Sequence, residues 1–405
     1  MRKTLLTKKA VDDVLQKGLP IFFTLIFLAT VMNIFQGYFA HHYYRMGDWL
    51  INYQGGMVRR GILGELIFQV STVSRINPGI LVVILHMFFY SVFFSYTYKL
   101  LRRQDSLIPF VLLLLSPFIL SFQINDHLGG GRKEIIYFAI LSYLVWSACI
   151  TETKIFERTF YLVLIIIYPL VILSHEMLAL FMPYLLVVYL SSTNMNLRKY
   201  ILLSISLVPS LISLIVAIYY SGTAAHATEI FTSISKLGYS VSGGAIDELG
   251  SNFMSAVNRI STAYSFWHIL SIIPVLALSV IAYRPVFSRI KIIFDTKLNL
   301  FLILLSIVAT IGLSFIALDW GRFVYIHLVS IFLLLFIKKA NQEINEHDYN
   351  QPFFLSKTVV ISIILYATIW HIHHVGTSFS ILRIINPVAT ITILIFLFKY
   401  KLQTR

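Results

Sequence analysis

The chain has one cysteine in 405 residues, so it can form no disulfide of its own and no cysteine-based metal site. Cys149 lies in an apolar run, where packing is the simplest role. Charge is scarce too. Only 12% of residues are charged, about half of the roughly 25% that soluble domains carry. Acidic residues are scarcer than basic ones, 18 against 32, and the resulting +14 would suggest nucleic acid in a soluble protein. Walker and dinucleotide motifs are missing, which argues against a nucleotide as the energy source. A cleavable leader is not expected either. The apolar run behind the basic 1–17 segment is span-length and lacks a small-residue cleavage site.

What fills the chain instead is apolar: 58% hydrophobic residues and a mean hydropathy of +0.81. A membrane helix needs roughly 20 such residues. The candidates are Leu19–Phe39, Ile80–Tyr98, Leu107–Phe122, Ile135–Ile150, Phe160–Leu173, Met177–Leu190, Tyr200–Tyr220, Trp267–Tyr283, Leu298–Leu318, Phe323–Ile337, Thr358–Trp370 and Pro387–Tyr400. The expected fold is therefore all-α, a polytopic transmembrane bundle of about twelve spans forming one domain (1–405). Several runs are short enough to be tilted or re-entrant.

The basic residues orient this bundle. With the N-terminus inside, 22 of the 32 Lys and Arg fall in cytoplasmic segments, and every such segment holds at least two. The positive-inside rule then predicts an even span count with both termini cytoplasmic.

The predicted outer loops, 41–78, 121–134 and 221–265 foremost, carry the unusual residues. The first contains Asp48-Trp49 and Gly55-Gly56-Met57-Val58-Arg59-Arg60-Gly61, followed by an apolar stretch, Ile62–Val70, suited to an interfacial helix. The second reads Asn125-Asp126-His127-Leu128-Gly129-Gly130-Gly131-Arg132-Lys133-Glu134. Ser174-His175-Glu176 forms a minimal third turn, and Asp319-Trp320-Gly321-Arg322 opens a later helix. Arg beside Gly lets a backbone approach a phosphate while the guanidinium grips it with two parallel bonds. Arg59, Arg60, Arg132 and Arg322 all have this setting. An ionisable group at membrane level is costly, which marks His175 and Glu176 as functional candidates.

Blander readings stand beside these. Arg59 and Arg60 could bind lipid headgroups. Asp319 and Arg322 could be a structural ion pair. His175-Glu176 could cap a hairpin tip, and Asp48-Trp49 could be an interfacial turn. The spacing of His371, His373 and His374 does not put all three on one helical face, so no metal or other cofactor is expected.

The span number, the enlarged 221–265 loop and the outer-loop arginines resemble bacterial polysaccharide polymerases of the Wzy type. That resemblance implies an inner-membrane enzyme joining undecaprenyl-diphosphate-linked repeat units on the periplasmic face. It implies a polyprenyl-diphosphate oligosaccharide and membrane lipids as partners, a chain-length regulator as a further one, and no nucleic acid. In that scheme Arg59, Arg60, Arg132 and Arg322, with Asp319 and Asp126, bind substrate. Glu176, assisted by His175, is the first choice of base and Asp48 the second. The alternatives are a GT-C-type glycosyltransferase using a polyprenyl-monophosphate sugar, whose essential Asp lies in the first outer loop as Asp48 does, and a lipid-linked-oligosaccharide flippase or transporter.

Overall fold

A computed structural model describes residues 8–126, 128–251, 253–263 and 266–337. The described residues are helical, with no β-strand among them. The long elements are α1 (Lys8–Phe39), α2 (Gly61–Ser74), α3 (Pro78–Arg102), α4 (Glu134–Ile150), α5 (Thr153–Ser174), α6 (Glu176–Ser192) and α7 (Leu197–Tyr219). They are followed by α8 (Ala224–Lys236), α9 (Phe253–Ala263), α10 (Phe266–Tyr283), α11 (Phe287–Phe294), α12 (Lys297–Leu313) and α13 (Trp320–Leu334). Their starts follow local chemistry. The side chains of Asn77, Asn196, Thr223 and Thr296 each accept a backbone N–H from the first turn of α3, α7, α8 and α12.

Four helices, α1, α3, α5 and α7, are long and apolar enough to cross a membrane. A fifth span results if Val275–Phe294 and Lys297–Leu313, bent by 112°, count together. The chain is thus compatible with a multi-pass membrane protein. Of the twelve expected spans, Thr358–Trp370 and Pro387–Tyr400 lie outside the described residues. One expectation is corrected: Leu107–Phe122 is not a continuous helix. It breaks into single turns at Ile108–Phe110, Val111–Leu114 and, beyond Ser121, Phe122–Asn125. Pro109 and Pro117 lack the N–H a helix ladder needs, and the segment is instead buried in the protein. The described residues of the 221–265 loop include α8, α9 and a 3-10 turn at Asp247–Gly250.

Lipid-type packing explains the outer helices. Exposed Ile21, Leu25, Leu28 and Met32 form one stripe on α1, which only an apolar solvent would favour. On α7 the buried face is small, with Ser206, Ser210, Ser213 and Ala217, so its backbone lies close against α5. Within α5, Val163–Ile167 widens to a π-turn just before Pro169, whose missing N–H disrupts the ladder. Helix α4 is apolar on every side and buried over most of its length, packing on α3, α6 and α13. A helix of that composition belongs at the centre. The residues that lead into it, Arg132-Lys133-Glu134, therefore deliver three charges to the middle of the bundle end.

Candidate functional site

The segment before α2 is shaped by close approach. A Cβ on Gly61 would sit 2.2 Å from the Tyr53 ring, and one on Gly64 only 1.9 Å from the Ile51 carbonyl oxygen. Any larger residue would push α2 off the loop. Arg60 lies between them in the left-handed region at φ 66°, a conformation that costs a non-glycine residue about 1 kcal/mol. Two contacts hold it there. Its carbonyl accepts from Lys133 Nζ at 3.2 Å, and its guanidinium grips Glu176.

That grip is a fork. Arg60 Nε donates to Glu176 Oε2 at 2.9 Å and Nη2 donates to Oε1 at 2.6 Å. Arg59 Nη1 stands 3.8 Å from the same carboxylate, while its Nη2 donates to the Glu248 carbonyl at 3.2 Å. Lys133, with 0% of its surface exposed, also donates to the Ser174 carbonyl at 2.9 Å. It staples α2, α4 and the end of α5 together. Glu134 Oε1 forms an ion pair with Arg322, 2.7 Å from its Nε without hydrogen-bond geometry, and Arg322 Nη1 donates to Asp319 at 2.7 Å. His175 lies between these groups, its Nε2 3.7 Å from Glu134 and its Nδ1 3.8 Å from Glu176.

The starts of α2, α4, α6 and α13 thus converge, each presenting backbone N–H groups and the positive end of its dipole. Arg59, Arg60, Arg132, Lys133 and Arg322 add side-chain charge. Arg132 makes no ion pair with a carboxylate among the described residues; its guanidinium stacks 4.0 Å over the Tyr44 ring. Burial, then the neighbouring Arg322, pushes its pKa down, as expected where positive charges crowd.

Asp48 is the least satisfied of the carboxylates, since Glu134 Oε1, which also lacks a hydrogen bond, lies directly against Arg322. Asp48 is 1% exposed, and neither carboxylate oxygen has a hydrogen-bond donor. Arg60 Nη1 approaches Oδ1 only to 3.8 Å. Burial alone would raise its pKa, but Lys133, His175, Arg60 and Arg132 together hold the carboxyl far below the usual range. Lys133 responds in turn: burial pushes its pKa down to about 8, against the pull of Asp48. A buried, ionised and unbonded carboxylate is costly unless something else is meant to meet it.

The structure thus gathers Asp48, Arg59, Arg60, Arg132, His175, Glu176, Asp319 and Arg322 at one end of the helices. Asp126 is placed differently. Its carboxylate accepts from the backbone N–H groups of Leu128 (3.0 Å) and Gly129 (2.7 Å), which shapes the glycine loop. That loop is pinned further by the Gly131 carbonyl, which accepts from Trp49 Nε1 at 3.2 Å and pairs with His86 Nε2 at 2.7 Å. Lys133 and Glu134 belong to the cluster although sequence reasoning assigned them no role. Their signal was the charged pair at the first turn of an otherwise apolar helix. His371, His373 and His374 lie outside the described residues. The described residues hold no group of three His, Cys, Asp or Glu side chains poised to bind a metal. No family model, curated protein or solved structure matches the chain.

Proposed function

We propose that the chain is a membrane glycosyltransferase that takes a sugar from a polyprenyl-phosphate carrier on the non-cytoplasmic side of a bacterial inner membrane. The observation that carries this reading is the meeting of four helix starts with Arg60, Arg132, Lys133 and Arg322 around Asp48, a buried carboxylate with no hydrogen-bond donor on either oxygen. Helix starts and arginines suit phosphate. A carboxylate beside them suits an acceptor hydroxyl. About twelve spans with both termini cytoplasmic, as the basic residues argue, would put this end of the bundle outside.

In the mechanism the anomeric C–O bond to the carrier phosphate breaks and a bond from C1 to the acceptor oxygen forms. The acceptor proton passes to the Asp48 carboxylate, and the phosphate departs as an anion held by Arg132 with Arg59. Arg60 and Arg322 are engaged by Glu176, Glu134 and Asp319, so they serve to position and to supply field. The arriving phosphate also neutralises the cations that hold Asp48 ionised, which raises its proton affinity when a base is needed. This moves the base from Glu176, already committed to the Arg60 fork, to Asp48.

Polymerisation of diphosphate-linked repeat units remains the first form of the reaction. The Asp48 carboxylate favours a second form, a GT-C-type transfer from a polyprenyl-monophosphate sugar. One experiment tests both. Protein in lipid nanodiscs is given radiolabelled polyprenyl-monophosphate or -diphosphate sugars with an acceptor glycolipid, alongside the Arg132→Lys variant. The expected result is transfer from one donor class, lost in Arg132→Lys because lysine lacks the fork. Full transfer by that variant would return Arg132 to a structural role, and no transfer from either donor would defeat the reading.

A further inference from the structure

Alongside α8 runs an open groove of about 400 Å³, lined by Ala224, Ala227, Thr228, Phe231, Asp247, Gly250 and Ser251. Its chemistry differs from that of the charged cluster. It offers one aromatic ring, one carboxylate and two hydroxyl side chains, and no basic residue. Asp247 and Thr228 are exposed; the Thr228 hydroxyl donates to the Ala224 carbonyl at 3.1 Å and keeps its lone pairs for a ligand, while Phe231 is half-buried and held by the packing beneath it. A rigid ring face flanked by hydrogen-bonding oxygens is complementary to a sugar, which has an apolar C–H face and a rim of hydroxyl groups. It is poorly suited to a phosphate, which the carboxylate would repel. The volume falls within the ordinary range for small-ligand sites.

The groove is also joined to the cluster. Its Asp247–Gly250 wall contains Glu248, whose carbonyl takes Arg59 Nη2 at 3.2 Å. The Glu248 carboxylate accepts from Ser251 Oγ at 3.1 Å and pairs with Arg259. The α8 side of the groove is fastened to the first outer loop as well, since Arg59 N donates to the carbonyl of Tyr220, just before α8, at 2.6 Å and Asn52 Nδ2 donates to Ser233 Oγ in α8 at 3.0 Å. Whatever occupies the groove therefore lies beside the backbone that positions one of the phosphate-facing arginines.

We propose that this groove is a saccharide subsite, in which Phe231 stacks on a sugar ring while the Asp247 carboxylate and Thr228 Oγ1 accept from its hydroxyl groups. The inference rests on the glycosyl-transfer reading, and it names where the sugar portion of the substrate is held. The enlarged 221–265 segment is then the sugar-recognition element, and the arginine cluster is the phosphate element.

The test is saturation-transfer NMR on the purified full-length protein in nanodiscs, with free glucose, galactose, N-acetylglucosamine, rhamnose and their disaccharides as probes. At least one probe should receive saturation. Phe231→Ala should remove that signal, and Asp247→Asn should weaken affinity by about tenfold, the equivalent of one hydrogen bond. Arg132→Lys should leave it unchanged. If Phe231→Ala disturbs folding, exposed Thr228→Val provides the second variant and should weaken the same probe. No saturation of any probe, or saturation untouched by Phe231→Ala and Thr228→Val, would overturn the subsite. The two readings fail separately. Loss of transfer in Arg132→Lys with indifference to every groove variant sinks the subsite alone. Groove-dependent sugar binding without transfer from any lipid-linked donor sinks the enzymatic reading instead.

Discussion

Two polar regions of the bundle share helix α13 and solve the same problem in opposite ways. Five residues along from Arg322 lies His327, about 7.5 Å further down the helix. Its Nδ1 pairs with the Tyr184 hydroxyl and its Nε2 with Thr310 Oγ1, both at 2.7 Å. On the same helix Ser330 pairs with Tyr137 at 2.8 Å. Every polar group in this set has a partner and none is a carboxylate or a guanidinium. At the helix start, by contrast, Asp48 has no donor for either oxygen, and His175 Nδ1 and Arg59 Nε are buried without hydrogen-bond partners. Buried polar groups that are fully paired make a scaffold. Buried charges left incompletely paired are costly, and they persist where a ligand completes them.

The sharpest way to break that contrast is at Asp48. Asp48→Asn keeps the size and removes the proton acceptor, so transfer should fall by roughly 10²–10⁴-fold. Binding of a polyprenyl-diphosphate analogue should hold or tighten, because a negative charge has left an anion site. Glu176→Gln acts on the other carboxylate. It weakens the charge-assisted Arg60 fork, worth about 1.5–3 kcal/mol, so it should lower thermal stability and reduce activity less than Asp48→Asn does. A reversed order in a transfer assay, with Asp48→Asn active and Glu176→Gln dead, would hand the base role back to Glu176.

A smaller effect should appear in pH. Burial holds the Lys133 pKa down to about 8, with Arg60 lowering it further and Asp48, Glu176 and Glu134 pulling it up. A bound phosphate favours the protonated lysine, so the bound-state pKa must lie above that value. Affinity for inorganic pyrophosphate should then be flat below pH 8 and fall as pH rises beyond it. Lys133→Met should bind more weakly at pH 7 and lose that slope. An unchanged slope in Lys133→Met, followed by calorimetry, would assign the titration elsewhere.

Much of this arrangement was legible in the chain. Arg-Gly pairs at apolar-run boundaries, and His175-Glu176 between two runs, mark charges where charge is expensive. What could not be read was direction. Nothing local says that Lys133 turns toward the Arg60 and Ser174 carbonyls, or that Arg60 adopts a left-handed backbone, because both follow from contacts between distant loops. Nor does local pattern distinguish which carboxylate lacks a partner. Leu107–Phe122 shows the converse failure: its hydropathy reads as a span, while Pro109 and Pro117 interrupt the backbone ladder that a span needs.

The smallest predicted effect tests the scaffold side of the comparison. Tyr184→Phe removes one hydroxyl and leaves His327 Nδ1 without its partner, while the ring and its packing remain. Losing one such bond in a buried, satisfied set costs about 1–3 kcal/mol, with most of that arising from the nitrogen left unbonded. His327→Phe in the same background removes the orphan as well. If the set is scaffold, the double variant should recover part of the lost melting temperature, since replacing both partners by apolar groups can be nearly neutral. Transfer activity measured below the melting transition should match the parent in both variants, because no group that meets phosphate or acceptor has changed. A loss of turnover without a loss of stability would show that the paired region contributes to the reaction. The line between the two halves of α13 would then have to be drawn below His327 rather than above it.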